Sequence, residues 1–345
     1  MTNQHEITKR MPLLNREGNL TEPGWARGLL WDYHRPDIRA SGMRIKEWDY
    51  YFVSNGHIGL ALTIADNGYM GLDSVSYLDF DEKWEITKSP MRLLPMGKTA
   101  LPETSAAGSS EIARGGYALA FYHDDDGTRK LTFHMDKFRG KDAIEGMISL
   151  SDEPAESMVI ATPFEKSGHF YYNQKINCMR AAGWIELGGA RVELEPETWF
   201  AVLDWGRGVW TYHNTWYWGS ASGEVDGVPF GWNIGYGFGD TSAASENVLF
   251  YGGKIHKLSQ VRFEIPMQDG EENYLAPWRF SSDDGRFEMA FAPILNRAAC
   301  TSVGVIKSDQ NQVFGRFTGT AALDDGTVLQ VNDFFGFAEK VENKW

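Results

Sequence analysis

Asp204, Arg207, His213 and Asn214 are threaded through a run of tryptophans, WFAVLDWGRGVWTYHNTWYWG, from Trp199 to Gly219. A carboxyl group, a guanidinium and an imidazole among indoles are costly to bury unless they are paired or put to use. Six of the thirteen tryptophans (Trp199, Trp205, Trp210, Trp216, Trp218 and Trp232) fall within 34 residues. Each buried indole also needs a partner for its N–H. The segment reads as the lining of a site. Asp204 among indoles would be desolvated, which raises its pKa, and a nearby Arg207 would lower it again. Such opposed effects suit a carboxyl group to general acid work, with Arg207 setting its pKa and position. His213 would act as an acid or base near neutral pH. Trp205, Trp210, Trp216 and Trp218 would form an apolar wall whose faces attract positive charge. The structural alternatives are an Asp–Arg pair that only fixes a tight turn, and a His213 satisfied within a core.

Two more clusters carry polar groups. In HFYYNQKINC, from His169 to Cys178, a strand would place Tyr171, Asn173, Lys175 and Asn177 on one face. That face is either the solvent side or the wall of a polar cavity. A lysine inside a cavity needs an anion, and Asp204 or Glu246 is available. In WNIGYGFGDTSAASEN, from Trp232 to Asn247, Gly235, Gly237 and Gly239 alternate and leave one face bare. A ligand, an aromatic ring or another backbone would lie against it. Asn233 and Tyr236 would touch substrate there, and Asp240 and Glu246 are candidate second carboxylates. The glycines are not a dinucleotide fingerprint, because GxGxxG and a βαβ setting are both missing. The eight histidines show no metal-ligand spacing. P-loop, GxSxG and EF-hand patterns are absent too, so neither a metal nor another cofactor is expected.

The elements that must hold these residues are strands. Turn signals recur at Asn55-Gly56, Asp66-Asn67-Gly68, Asp124–Gly127, Gly188-Gly189, Gly252-Gly253, Asp283–Gly285 and Asp324–Gly326. Tyr117 to Tyr122 faces Lys130 to Met135 across one of them, and Arg286 to Phe291 and Thr327 to Val331 leave theirs with strand-like spacing. No long segment keeps a 3.6-residue apolar period, although short helices are expected near Asp32–Ile38 and Ser89–Met96. The stretch Met96–Gly116 reads as a long loop, either a lid or a mobile excursion. An antiparallel all-β protein follows, and strands this numerous close into sandwiches or barrels to remove their edges. With 345 residues, one large or two modest domains are expected. No polar linker divides the chain, so two domains would share a packed interface, where pockets favour forming.

The net charge of −14 argues against nucleic acid and anionic membranes as partners. There is no apolar leader and no stretch of 18 apolar residues, so no membrane span is expected. Cys178 and Cys300 show no CxxC, which fits two reduced, buried cysteines in a cytoplasmic protein. A small-molecule substrate or ligand is the expected partner, and the oligomeric state is left open.

The runs LDWGRGVWTYHNTWYWGSASG and GVPFGWNIGYGFGDTSAASEN resemble the signature of a bacterial family known only as domain of unknown function 2804. HFYYNQKINCM and PWRFSSDDGRFEMAFAPILNR are similar to further parts of it, and the likeness runs from about Asn15 to the C-terminal Phe337–Trp345. More distantly, the chain resembles two-barrel, lipocalin-related proteins, which include AttH-like proteins and carotenoid 1,2-hydratase. Those carry an Asp-His-x-Trp-Gly type motif before a Trp-rich strand that opens the second barrel. Asp204-Trp205-Gly206 stands in the comparable place, with Trp216-Tyr217-Trp218 after it, but no His follows Asp204. The resemblance implies two tandem lipocalin-like (calycin-like) β-barrels packed together, residues 1–210 and 211–345, with the second barrel opening near Asn214. The expected activity is acid–base chemistry of hydratase, lyase or isomerase type on a largely apolar, isoprenoid- or lipid-like molecule. Asp204 would be the proton donor, and His213 and Asn173 would orient substrate or relay protons. A non-catalytic lipid carrier and a carbohydrate-active enzyme with paired carboxylates remain as alternatives.

Overall fold

The computed structural model describes residues 4–124, 126–303 and 306–344. Its regular structure is antiparallel strand almost throughout, and strand assignment passes to a second sheet between Val209 and His213. Fourteen strands form the first sheet. Its spine runs from Trp84–Lys88 through Met70–Asp79, Ile58–Asp66, Ile45–Ser54, Phe200–Val209 and Phe170–Leu187 to Asp142–Ser151, Arg129–Arg139, Tyr117–His123 and Gly108–Arg114. Nine strands form the second sheet. At its centre His213–Val225 lies between Val228–Tyr236 and Val328–Lys344, and Ile306–Ala322 and Phe287–Val303 follow. Both sheets curl around a core of their own. The first core gathers Leu60, Leu62, Ile148, Ile176 and Trp205. The second gathers Phe230, Trp232, Phe280, Phe287 and Phe317.

Alternation along each strand decides what faces where. On Phe200–Val209, Leu203, Trp205 and Val209 enter the first core, while Val202, Asp204, Gly206 and Gly208 alternate to the other face. That other face packs against the second sheet through two apolar clusters. One contains Trp25, Tyr171, Trp210 and Phe238, and the other contains Tyr50, Phe52, Trp218, Phe314 and Phe337. A bulge between Ile176 and Met179 shapes the contact, with Cys178 at φ 65°. There the Asn177 amide donates to Ser220 Oγ (2.8 Å) and to the carbonyls of Ala221 and Trp232 (3.0 Å each). Asn177 therefore fastens one sheet to the other.

Several local expectations change. The hairpin pairing Tyr117 with Met135 and Tyr122 with Lys130 forms as read. Near Asp32–Ile38 there is only a 3-10 turn, Arg35–Asp37. The helix expected at Ser89–Met96 is instead a short strand, Met91–Leu93, between Pro90 and Pro95, which cannot donate to a helical ladder. The long loop is neither lid nor excursion. Gly108–Arg114 is an edge strand, and the residues before it plug the first core. Arg207 Nη2 donates to the Pro102 carbonyl (2.8 Å), Arg129 Nη1 donates to the Ser105 carbonyl (2.6 Å), and Leu101 is buried. Of the two cysteines, Cys178 is buried and Cys300 is exposed. No helix among the described residues is long and apolar enough to cross a membrane.

Candidate functional site

Two rows of side chains meet between the sheets. Across the first sheet the register runs Lys175, Asp204, Tyr50, Thr63. Across the second it runs Gly235, Trp218, Glu339, Gln312, Arg297. Members of one row project to one face, so each sheet lays a polar band across the shared interface. The bands touch where the Lys175 ammonium sits 3.9 Å from the centre of the Trp218 ring and Tyr50 meets the same ring edge-on at 5.9 Å.

Lys175 Nζ lies 2.9 Å from Asp204 Oδ1, with 4% and 11% of the two side chains exposed. Asn173 Nδ2 donates to the same oxygen at 2.6 Å and to the Trp205 carbonyl at 2.9 Å. Trp218 Nε1 donates to Asn233 Oδ1 (2.7 Å), and Asn233 Nδ2 donates to the Glu246 carbonyl (2.9 Å) and to Glu246 Oε2 (3.3 Å). Trp216 Nε1 donates to Glu339 Oε1 (2.9 Å), and Gln312 Nε2 to Glu339 Oε2 (3.1 Å). Gly235 makes room for this arrangement, because a Cβ there would stand 2.6 Å from the Glu246 carboxylate. Trp48 covers the band beside Asp204. Its indole occupies the space a side chain at position 206 would fill, 1.9 Å from an added Cβ.

Three carboxyl groups thus share the interface with one lysine in direct contact. Burial pushes Glu339 up to about 7, against the pull of its Trp216 hydrogen bond, Arg297 and Lys175. Glu246 keeps some accessible surface, yet the surrounding protein desolvates it and raises its pKa, with Lys175 opposing and Asp204 adding. Burial lifts Tyr50 to about 12 and also raises Tyr171 well above the ordinary phenol value. A buried carboxyl group whose pKa desolvation brings near neutrality can give up or take a proton under physiological conditions. Among the described residues no three His, Cys, Asp or Glu side chains are grouped to hold a metal ion.

The structure brings together Asp204, Asn173, Lys175, Trp216, Trp218, Asn233 and Glu246, and pairs Lys175 with Asp204. It separates the others. Arg207 is three residues from Asp204 on a continuous strand, not across a turn, so it points to the opposite face. There its Nη1 donates to Asp49 Oδ1 (3.0 Å), its Nε lies 3.8 Å from Glu47 Oε1, and it sets no property of Asp204 through contact. Trp205 also enters the first core, beneath the Arg207 guanidinium. His213 is exposed where its strand begins, and Asn214 holds the preceding turn by donating to the Thr211 carbonyl (2.7 Å). Tyr236 stacks on Tyr217 with ring centres 4.4 Å apart, on the face away from Asn233. Asp240 is exposed and accepts from the Ser242 amide (3.0 Å), so it forms no carboxylate pair with Asp204. The strand ends at Tyr236. Gly237 (φ 90°) and Gly239 (φ 78°) therefore lie in a turn, and Phe238 between them plugs a cage of Phe164, Tyr171, Trp210 and Trp216.

Sequence reasoning missed Tyr50, Glu339, Gln312 and Arg297. For Glu339 a signal exists: it alternates with Phe337 and Val341, so a carboxyl group occupies an otherwise apolar face. Tyr50 likewise alternates with Trp48 and Phe52. Nothing local marks Gln312 or Arg297.

The model of a family described as a domain of unknown function, DUF2804, matches residues 4–345. No curated protein matches the sequence. Among solved structures, a protein described as AttH from Nitrosomonas europaea superposes with a TM-score of 0.53 at 13% identity, covering 89% of this chain and 95% of that one. CghA with Sch210972 gives 0.50 at 11% identity, covering 99% and 97%. Kievitone hydratase from Nectria haematococca gives 0.49 at 8%, covering 97% and 98%. At these identities the likeness concerns the fold alone.

Proposed function

The chain belongs to the DUF2804 family, and we propose that it is a cofactor-independent enzyme whose acid–base site is the polar band between its two sheets. We read each curled sheet as a lipocalin-like barrel domain, 1–210 and 211–345, with the site at their junction. Its substrate is a small, largely apolar molecule of isoprenoid or lipid type, and its place of work is the cytoplasm.

The observation that carries this reading is Glu339. It is buried, held by two neutral donors and pushed up to about 7. A carboxyl group in that state is poorly suited to stabilising a fold and well suited to donating a proton. Glu339 protonates an electron-rich double bond of the substrate. Positive charge that develops there is met by the Asp204 carboxylate and the neighbouring indole rings. In a hydration, water adds to the cationic carbon and loses its proton to Asp204, which releases it to solvent as Glu339 is reprotonated. In an isomerisation, the adjacent carbon loses the proton instead. Lys175 and Asn173 fix the Asp204 carboxylate through their contacts with Oδ1. We therefore assign proton donation to Glu339 and not to Asp204, which is paired with Lys175.

The test is metabolite profiling in H₂¹⁸O and in D₂O. A small-molecule extract is incubated with the wild type, Glu339→Gln and Asp204→Asn. A species consumed only by the wild type, with a product that gains ¹⁸O or deuterium, is expected. Identical extracts after all three incubations, with a ligand bound unchanged to each protein, would establish the carrier reading instead.

A further inference from the structure

A cavity of about 270 Å³ opens in the same interface, beyond the polar band. It lies one step along each of the four strands that carry the band. Asp204 is followed on its face by Val202, Tyr50 by Phe52, Trp218 by Ser220 and Glu339 by Phe337, and all four of these neighbours line the cavity. One such step is about 7 Å. Phe52 and Phe337 form the inner wall, 5.6 Å apart between ring centres, and Phe337 packs edge-on against Trp218 at 4.8 Å. The outer end is polar, with Asn55, Thr198, Ser222 and Asn332.

The lining selects a ligand class. Five phenylalanines (Phe52, Phe200, Phe334, Phe335 and Phe337) favour flat or unsaturated carbon. No lysine or arginine lines the cavity. Its two acids are already paired, Glu224 with Arg180 and Asp333 with Arg316 at 3.7 Å. An anionic head would meet no free cation there, whereas a hydroxyl finds amide and hydroxyl partners at the rim. An apolar cavity of about 150 Å³ takes a benzene ring, so one nearly twice that size suits about ten carbon atoms.

We propose that this cavity binds a neutral, unsaturated molecule of about ten carbons that carries a hydroxyl group, with its apolar body against the Phe52–Phe337 wall. This names a ligand class for the interface read above as a reaction site, and rests on that reading only for what then happens to the ligand. The approach is from the Asn55–Thr198 rim, and the wall holds the ligand one step from Asp204 and Glu339.

Titration calorimetry with geraniol and geranic acid at pH 8 tests it. Saturable, one-to-one binding of geraniol to the wild type is expected, and geranate should bind at least tenfold more weakly. Val202→Trp fills the cavity and Thr198→Trp blocks its exposed rim, so each should weaken geraniol by tenfold or more. The rim variant leaves the packed interface intact, which keeps the test valid should Val202→Trp misfold. Absence of geraniol binding to the wild type, or unchanged affinity in a folded Trp variant, would overturn the proposal, and equal affinity for geranate would overturn the neutral class. The cavity is thus tested without turnover, and failure of the acid–base reading would leave it standing.

Discussion

The strand Phe200–Val209 presents a buried charge to each side, and the two sides are built differently. Toward the first core, Arg207 and Arg35 face Glu47 and Asp49, two cations against two acids. Tyr33 donates to Glu47 at 2.8 Å, Ser110 donates to Asp49, and the Arg207 Nη groups also donate to the carbonyls of Trp48, Gly206 and Pro102, while its Nε has only the 3.8 Å ion-pair approach to Glu47. Burial still raises Glu47, but Arg207 and Arg35 oppose it. Toward the second sheet, one lysine touches one of three acids, and Glu339 has only neutral donors on its oxygens. The first cluster is balanced in charge and ties a loop to a core. The second sets three acids against Lys175 in contact and Arg297 at the end of the same band, and it leaves Glu339 buried with no cation on its oxygens. A buried acid held in that way adds little to a fold, which is why we read this side as the reactive one.

The largest expected effect is on rate. Glu339→Gln keeps the shape and the Trp216 hydrogen bond but removes the proton, so turnover should fall about 10²–10⁴-fold. Stability should hold or rise, because an ionisable group has left a buried site. Initial rates and urea midpoints, measured on the same samples, check both halves. Arg207→Leu should do the reverse. Removing one partner of a buried pair costs about 3–5 kcal/mol, because Glu47 and Asp49 lose a cation, while the rate per folded molecule stays near that of the wild type. If Arg207→Leu instead abolished turnover at unchanged stability, the division between the two faces would be wrong.

A smaller effect is the pH dependence of stability. The folded pKa of Glu339 is raised from 4.5 to about 7. An acid with a raised folded pKa binds its proton more tightly in the native state, so its contribution to stability is fully present below about 4.5. It is lost as the pH rises towards 7 and stays lost above. At 1.36 kcal/mol per pKa unit the loss is about 3 kcal/mol. Urea unfolding of the wild type and Glu339→Gln between pH 4.5 and 8 should show the two curves diverging over that window and running parallel above it. Parallel curves throughout would mean that Glu339 is already ionised in the native protein.

The alternation of β-rich runs between Gly-containing turns made the strand content and the hairpins readable. The polar face of Tyr171, Asn173, Lys175 and Asn177 was readable for the same reason, because a period of two survives in one strand without its neighbours. Glu339 and Tyr50 lay far from the Trp-rich segment in sequence, and only the register across four strands brings them to Asp204. Register between distant strands is set by packing on both faces and leaves no local trace. The misreading of Arg207 has a similar origin. Flanking glycines suggested a turn, whereas Gly206 and Gly208 lie inside a strand and admit Trp48 and the Phe170 carbonyl against it. The helix expected at Ser89–Met96 failed for a more local reason, the two prolines that bracket it.

The smallest expected effect concerns residues that looked functional in sequence and lie outside both clusters. His213 is exposed at a strand end and Asp240 is exposed on a turn. Asp240 accepts a hydrogen bond from the Ser242 amide, which lowers its pKa. His213→Ala removes an exposed ring with no role in the polar band, and Asp240→Asn keeps an acceptor for the Ser242 amide. Each should change unfolding free energy by no more than about 0.5 kcal/mol and leave the rate within twofold of the wild type. The pair discriminates between two accounts of the Trp-rich segment. If proximity in sequence to Asp204 confers function, His213→Ala should be among the most damaging substitutions. If position across the sheet register confers it, His213→Ala should be silent, and Glu339→Gln, 135 residues from Asp204 in the chain, should not.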